Sequence, residues 1–501
     1  MTGDFTRRGF LAGLLSSAAL PAFSGAPEQS LRPKLRGGKI AKAQARGAEE
    51  IISKANLAGR VMYAVADAKT GLLLEGRNLR DGTPPASVTK ALTALYALDE
   101  LGASHRFETR LLATGAVKDG IIKGDLVLGG YGDPTLDTDG LAEMAAALKK
   151  SGIRGVTGKF VIYQGALPFV QCIDPAQPNH VGYNPAVSGI ALNFNRVHFQ
   201  WKRAGADYAI TMDARTAAVR PDVAMARMRV VDRKSPIYAY ASSAAREDWS
   251  VARHALGKGG ARWLPVRKPA LYAGDVFATL ARSHGIVLAK PTLAKTAPGG
   301  RLLVRRQSDR LQDILRGMLK YSTNLTAEMI GMSASKHRNP DIRTLRASAA
   351  EMNRWAKDRL GLLSPALVDH SGLGSTSKLT ADDMVKALVK ANANQTLRPI
   401  LKPVALRDGD GRPNKDHSVK VDAKTGTLNF VSGLAGYMTG TDGTELVFAI
   451  FAADHETRGK LSKAEREAPK GAKGWNRRAK VMQQDLIERW DTLYGNHGET
   501  Q

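Results

Sequence analysis

The stretch PPASVTK, residues 84–90, sets a serine three residues before a lysine, just past a double proline. The run that follows, SVTKALTALYALDELG, repeats apolar residues at spacings of three and four as far as Leu101. That period predicts a largely buried helix starting near Ala86, with Pro85 in its first turn. On a helix, residues i and i+3 share a face, so the Ser87 hydroxyl is expected beside the Lys90 amine. A serine hydroxyl is a poor nucleophile unless a base takes its proton. A lysine serves as that base only when burial or nearby positive charge lowers its pKa. The surrounding Ala and Leu residues make burial credible. Taken alone, Ser87 is equally well a helix-start residue, and the rest of the chain must decide.

Working outward, RVMYAVADAKTGLLLEGR from Arg60 alternates, turns at Lys69-Thr70-Gly71 and resumes, which predicts a hairpin. After Gly102 the chain turns to short strand-like runs with glycine turns, interrupted by one helical run from Asp139. Helical periodicity returns at Leu271 and continues through LQDILRGMLKYS, LTAEMIGMSASK, LRASAAEMNRWAKDRLG and TADDMVKALVK. Alternating strands follow in SVKVDAKTGTLNFVSGLAGYMTG and ELVFAIFAA, and a terminal helix closes the chain. Strands at both ends with helices between predict one α/β domain, residues 30–110 with 270–495. A β-rich block, residues 111–269, is expected to interrupt it.

Three short strings carry chemistry in this order: Ser87-Val88-Thr89-Lys90, Ser322-Thr323-Asn324 between two helical runs, and Lys424-Thr425-Gly426 on a strand. Each is weak alone. Together, in these contexts, they resemble the penicillin-recognising serine enzymes. GDLVLGGYGDPTL, VTGKFV, NPAVSGIALNFN, SDRLQDILRGMLKYSTNLTAEM, DHSGLG and AKTGTLNFVSGLAGY narrow the likeness. They resemble the D-alanyl-D-alanine carboxypeptidase/endopeptidase family of low-molecular-mass class C penicillin-binding proteins. The similarity runs from about Gly59 to Trp490. That family carries a large insertion between its first two motifs, and the β-rich block occupies that place here.

The resemblance implies an α/β fold: a penicillin-binding-protein/serine β-lactamase-like transpeptidase domain with a large β-rich insertion, which can itself divide into two subdomains. It implies a periplasmic serine D-Ala-D-Ala carboxypeptidase, a peptidoglycan DD-endopeptidase, or both. Its substrates would be peptidoglycan stem peptides and cross-links, and penicillins and other β-lactams would acylate the same serine. Ser87 would be the nucleophile and Lys90 its base. Ser322 would pass a proton to the leaving amine, and Lys424 would hold local charge. Asn324 would bind the peptide amide. Thr425 and Thr427, two apart on a strand and so on one face, would receive the terminal carboxylate. Gly426 would let the strand approach closely. The backbone N–H groups of Ser87 and Thr427 would stabilise the oxyanion. The early Lys69-Thr70-Gly71 has the wrong order and is assigned no role. Val161-Ile162-Tyr163-Gln164-Gly165 stands where relatives carry an acidic pair followed by Ser or Thr, and His370 where glycine is common. Both departures leave the substrate side-chain preference open.

Composition sets the context. The chain has 501 residues, 43% of them hydrophobic, a formal charge of +26 and one cysteine, Cys172, so no internal disulfide is possible. No cofactor or metal is expected, and His180, His198 and His284 read as ordinary packing or polar residues. Residues 1–26 contain Arg7-Arg8, an apolar run from Phe10 to Leu20 and small residues to Ala26. They read as a signal peptide of the twin-arginine type, which points to the periplasm. The charge, spread along the chain, favours loose association with anionic cell-envelope polymers. No nucleic-acid motif accompanies it. Two alternatives remain open on the residues alone, a β-lactamase and a catalytically weak peptidoglycan-binding protein.

Overall fold

Strand Arg60–Asp67 is buried on both faces, and its alternation organises the peptidase half. Val61, Tyr63 and Val65 point into one core, and Met62, Ala64 and Ala66 into another. The computed structural model describes residue 42, residues 45–408 and residues 410–495. The expected signal segment, residues 1–26, lies outside the described residues. The central sheet has six strands in the order Lys402–Pro403, Lys420–Leu428, Val431–Thr439, Glu445–Ala453, Arg60–Asp67 and Leu73–Arg77. Every neighbouring pair is antiparallel. Helices Ala48–Lys54 and Ala472–Tyr494 cover the face with the larger side chains, including Trp475 and Trp490. Helices Thr89–Leu101, Leu311–Tyr321, Asn324–Arg338, Leu345–Leu360 and Ala381–Ala393 cover the other. Small residues on that face, Ala64, Ala66, Ala435 and Ala449, let the helices come close. The expected hairpin forms between Arg60–Asp67 and Leu73–Arg77, and Lys69-Thr70-Gly71 sits in its turn, pinned by Asp67.

The inserted unit is larger than expected. A five-stranded sheet runs in the order Thr292–Leu293, Phe160–Tyr163, Leu126–Gly130, Glu108–Ala113 and Arg301–Gln307. Helices Thr138–Lys150 and Pro269–Ser283 pack in the same core, where Phe277 meets Phe160 at 5.7 Å between ring centroids. The boundary expected at residue 270 is therefore corrected. Strand Arg301–Gln307 still pairs with Glu108–Ala113, and the peptidase helices resume only at Leu311. A helix's periodicity shows that one of its faces is buried, and says nothing of which core it faces. Three three-stranded sheets complete the insertion among the described residues, and Phe199 and Trp249, from two of them, belong to the same buried core as Leu111 and Phe160. No helix among the described residues is long and apolar enough to cross a membrane.

Candidate active site

The helix does not begin at Ala86. A 3-10 turn, Ala86–Val88, comes first, and the α-helix runs Thr89–Leu101. Ala86 holds φ at +49°, unusual for a residue with a Cβ. The turn is held there by backbone packed against it. A Cβ on Gly426 would lie 2.6 Å from the Pro85 carbonyl oxygen and 3.1 Å from the Ser87 nitrogen. A Cβ on Gly372, itself at φ +75°, would fall 1.8 Å from the Ala86 oxygen. These two glycines let a strand and a loop clamp the turn from two sides. Ala86 and Val88 are fully buried, and Ser87 between them stays half-buried.

Lys90, one turn on, is completely buried. Its Nζ lies 3.0 Å from Ser87 Oγ, 2.8 Å from Asn324 Oδ1 and 2.7 Å from the Ser371 carbonyl oxygen. Burial lowers its pKa to about 8, against the opposing pull of the Glu328 and Asp369 carboxyls. A neutral amine has two N–H donors and one lone pair. Asn324 Oδ1 and the Ser371 carbonyl can only accept, so they take the two N–H groups. The lone pair is then left for the Ser87 hydroxyl.

Ser322 and Asn324 face the cleft because the chain breaks between two helices. Ser322 caps helix Leu311–Tyr321 in the left-handed region, at φ +57°, and Asn324 opens the next helix. The Asn324 amide donates to the Tyr183 carbonyl at 2.9 Å, tying the inserted unit to the site. Lys424 Nζ donates to Ser322 Oγ at 3.1 Å and to the Thr425 carbonyl at 2.6 Å. Burial, with Lys90 and Lys402 nearby, lowers its pKa to about 7. Thr425 and Thr427 are both exposed on one side of their strand. Ser87, Ser322, Asn324, Gly372 and Thr427 line one cavity of about 320 Å³. Thr425 is not among its lining residues.

The sequence reading missed the shell behind this cleft. Glu328, four residues after Asn324 and on the same helix face, accepts from the backbone N–H groups of His370 and Ser371 at 2.9 Å each. Asp369 accepts from those of Gly372 and Gly374 at 2.6 Å each. Burial raises both carboxyl pKa values. The pair shapes the loop that offers the Ser371 carbonyl to Lys90. Asn324 to Glu328, one helical turn apart, and the acid of DHSGLG were the available signals. Also missed were Gln177, Tyr183, Arg458, Arg466, Glu467 and Asn476, which line the cavity from the insertion and from the C-terminal segment. Nothing in their spacing announces them.

Neither departure from the family pattern lines the cavity. His370 does not face the cleft. It is fully buried, 2.7 Å from Ser348 Oγ, and its ring packs where a Cβ on Gly331 would stand. Burial lowers its pKa to about 3, so it is neutral packing and not a reader of side chains. Gln164 is not among the residues lining this cavity, so the altered 161–165 stretch is not a direct wall of it. His180 has a definite job: with Arg262 it holds Glu467 at the cavity rim, at 2.7 and 2.5 Å. Burial raises the Cys172 thiol pKa, and the residue lines a different cavity from Ser87. Among the described residues, no group of His, Cys, Asp and Glu is arranged to hold a metal ion.

The chain is similar to several known proteins. The model of the D-Ala-D-Ala carboxypeptidase 3 (S13) family matches residues 44–471. The D-alanyl-D-alanine carboxypeptidase of Actinomadura sp. (strain R39) is 28% identical over 84% of this chain and 84% of its own length. The D-alanyl-D-alanine carboxypeptidase DacB of Haemophilus influenzae is 25% identical over 77% of this chain and 83% of its own. Among solved structures, penicillin binding protein 4 of H. influenzae superposes with a TM-score of 0.72 at 20% identity. That match covers 88% of this chain and 98% of the other, and is a likeness of fold. With a family match over most of its length and a serine-lysine pair at the head of a buried helix, the chain belongs to the D-Ala-D-Ala carboxypeptidase 3 (S13) family of serine peptidases.

Proposed function

We propose that the chain is a periplasmic serine D-Ala-D-Ala carboxypeptidase, a peptidoglycan DD-endopeptidase, or both, working through an acyl-enzyme on Ser87. The observation that carries this is the Lys90 amine, fully buried, with two carbonyl acceptors on its hydrogens and Ser87 Oγ at 3.0 Å. Neutral Lys90 takes the Ser87 proton as Oγ attacks the penultimate D-Ala carbonyl. The oxyanion forms against the N–H groups of Ser87 and Thr427. Ser322, hydrogen-bonded by Lys424, passes a proton to the departing amine. Thr427, which lines the cavity, holds the terminal carboxylate. Water then releases the acyl group. Penicillins enter the same sequence and stop at the acyl-enzyme.

The twin-arginine reading of residues 1–26 supports export. Association with anionic envelope polymers is supported by a basic groove beside the cleft. It shares Thr427 and Asn476 with the cavity and carries Arg407, Lys473, Arg477 and Lys480. The β-lactamase alternative needs a carboxylate to drive deacylation. Glu328 and Asp369 are committed to backbone N–H groups and do not line the cavity, which weighs against it.

The test is incubation with linear D-Ala-D-Ala stems and with purified cross-linked muropeptides, read by product mass. Release of D-Ala, or separation of cross-linked stems, supports the reading and divides its two forms. Rapid repeated penicillin turnover without either product would sink it in favour of a β-lactamase.

The two lysines also predict the pH dependence. The mechanism needs Lys90 neutral and Lys424 charged, so the active form carries one proton on the pair. Lowered values of about 8 for Lys90 and about 7 for Lys424 put the one-proton pair at its maximum between pH 7 and 8, and because Lys90 holds its proton more tightly, the active arrangement is the minor of the two one-proton forms there. Acylation should fall on the acid side, as both amines charge, and on the alkaline side, as both become neutral. A penicillin-acylation rate that is flat from pH 6 to 9 would contradict this.

A further inference from the structure

Asn324 meets Lys90 through its side-chain oxygen, not its nitrogen. The two ends of an amide are nearly equal in size, so hydrogen bonds choose between them. A backbone carbonyl accepts and cannot donate. The Tyr183 carbonyl, at 2.9 Å, therefore takes the Asn324 NH2 and leaves Oδ1 for Lys90. Turned the other way, Asn324 would aim an N–H at Nζ. A neutral Lys90 would then give its lone pair to that N–H and not to the Ser87 hydroxyl.

The choice depends on where the Tyr183 carbonyl stands. Residues 171–184 form neither helix nor strand, so no regular ladder fixes them. One side chain gathers them. Arg267 lies between strand Gly259–Pro265 and helix Pro269–Ser283 and is 6% exposed. Its Nη1 donates to the Gln171 carbonyl at 3.1 Å and the Asn184 carbonyl at 2.5 Å, and its Nη2 to the Asn179 carbonyl at 2.9 Å. A planar guanidinium fixes the directions of those bonds, which a flexible ammonium does not. Arg267 is itself held, since its backbone N–H and that of Lys268 donate to Glu247 Oε1 at 2.8 and 2.7 Å. Asn184 follows Tyr183 directly. Its side chain also clasps the Asp174 backbone, accepting at 3.0 Å and donating at 2.8 Å.

Resting on the proposed function, we infer that Arg267 is a positioning residue for the peptidase reaction. It does not line the cavity. It holds residues 171–184 so that the Tyr183 carbonyl orients the Asn324 amide and the Lys90 lone pair stays on Ser87.

The experiment follows penicillin acylation of the full chain against pH by intact-protein mass spectrometry, with melting temperatures alongside. Arg267→Gln should slow acylation roughly 10- to 100-fold at the optimum. It should also move the pH optimum down by roughly half a pH unit, because a charged Lys90 loses Asn324 Oδ1 as an acceptor and releases its proton more readily. The charged groups facing Lys90, namely Glu328, Asp369 and Lys424, are unchanged in this variant. A mere loss of folded protein would lower the rate equally at every pH. Arg267→Lys should restore part of the rate. Asn184→Ala opens the clasp and keeps the buried guanidinium. It should move the optimum the same way by less, and it carries the test where Arg267→Gln does not fold. In an Asn324→Ala chain, which has no amide to orient, adding Arg267→Gln should slow acylation less than about twofold. An optimum unmoved in the folded variants, or an equal loss with and without Asn324, overturns the role and leaves the peptidase reading standing. A wild-type chain that forms no Ser87 adduct overturns the peptidase reading and this role with it.

Discussion

A Ser87→Ala protein treated with penicillin is expected to carry no covalent adduct, and a Lys90→Met protein to form one roughly a thousandfold more slowly. The two variants separate nucleophile from base. Ser87 is half-buried, and losing one hydroxyl there leaves no cavity of consequence. Met nearly matches the length of lysine, so it fills much of the buried space that Lys90 occupies. It strips the proton acceptor from Ser87 Oγ and leaves Asn324 Oδ1 and the Ser371 carbonyl without their donor. Some stability should be lost with them, since unpaired buried acceptors cost about 1–3 kcal/mol. Intact-protein mass spectrometry gives the adduct, and its time course gives the rate. A full-yield adduct on Ser87→Ala places the nucleophile elsewhere. Wild-type rates for Lys90→Met remove the lysine from proton transfer.

Gly426→Val should slow acylation by roughly a hundredfold or more, the scale expected when an oxyanion donor is displaced. Folding should suffer as well. A Cβ at 426 would stand 2.6 Å from the Pro85 oxygen and 3.1 Å from the Ser87 nitrogen, and both are backbone atoms with no rotamer to give. Strand and turn must part, which moves the N–H of Ser87 away from that of Thr427. The melting temperature should fall with the rate, and Gly426→Ala should show both effects, because its Cβ makes the same contacts. Retention of wild-type acylation and melting by Gly426→Val would show that this contact does not position the oxyanion donors.

Some of the site was legible because it is local. Ser87 and Lys90 are one helical turn apart, Ser322 and Asn324 flank one helix break, and Thr425 to Thr427 follow one another on a strand. Spacing along one element constrains which side chains share a face. Glu328 was readable in principle, standing one turn beyond Asn324. Arg458 and Arg466 were not, since they reach the cavity from a five-residue helix, His455–Gly459, and a 3-10 turn, Glu465–Glu467, too short to show a period, beyond strand Glu445–Ala453. Tyr183 reaches it from the insertion, through a backbone carbonyl that carries no residue-type signal.

The chain's own order of residues determined the alternating hairpin from Arg60, the buried helix after Ser87, the three motifs and the presence of a β-rich insertion. Each is a short-range pattern, written in periods of two and of about 3.6. Only the tertiary structure decided where the insertion ends. Helix Pro269–Ser283 has the same apolar period whichever core it covers, and strand Arg301–Gln307 shows its allegiance only by pairing with Glu108–Ala113. Tertiary packing likewise decided that His370 is packing and that Ala86 turns left-handed. It also decided that Lys90 meets two carbonyl acceptors and the Ser87 hydroxyl from three separate segments. Burial and hydrogen-bond completion are properties of the assembled neighbourhood. They set the lysine pKa values on which the proposed chemistry depends, and no window of sequence contains them.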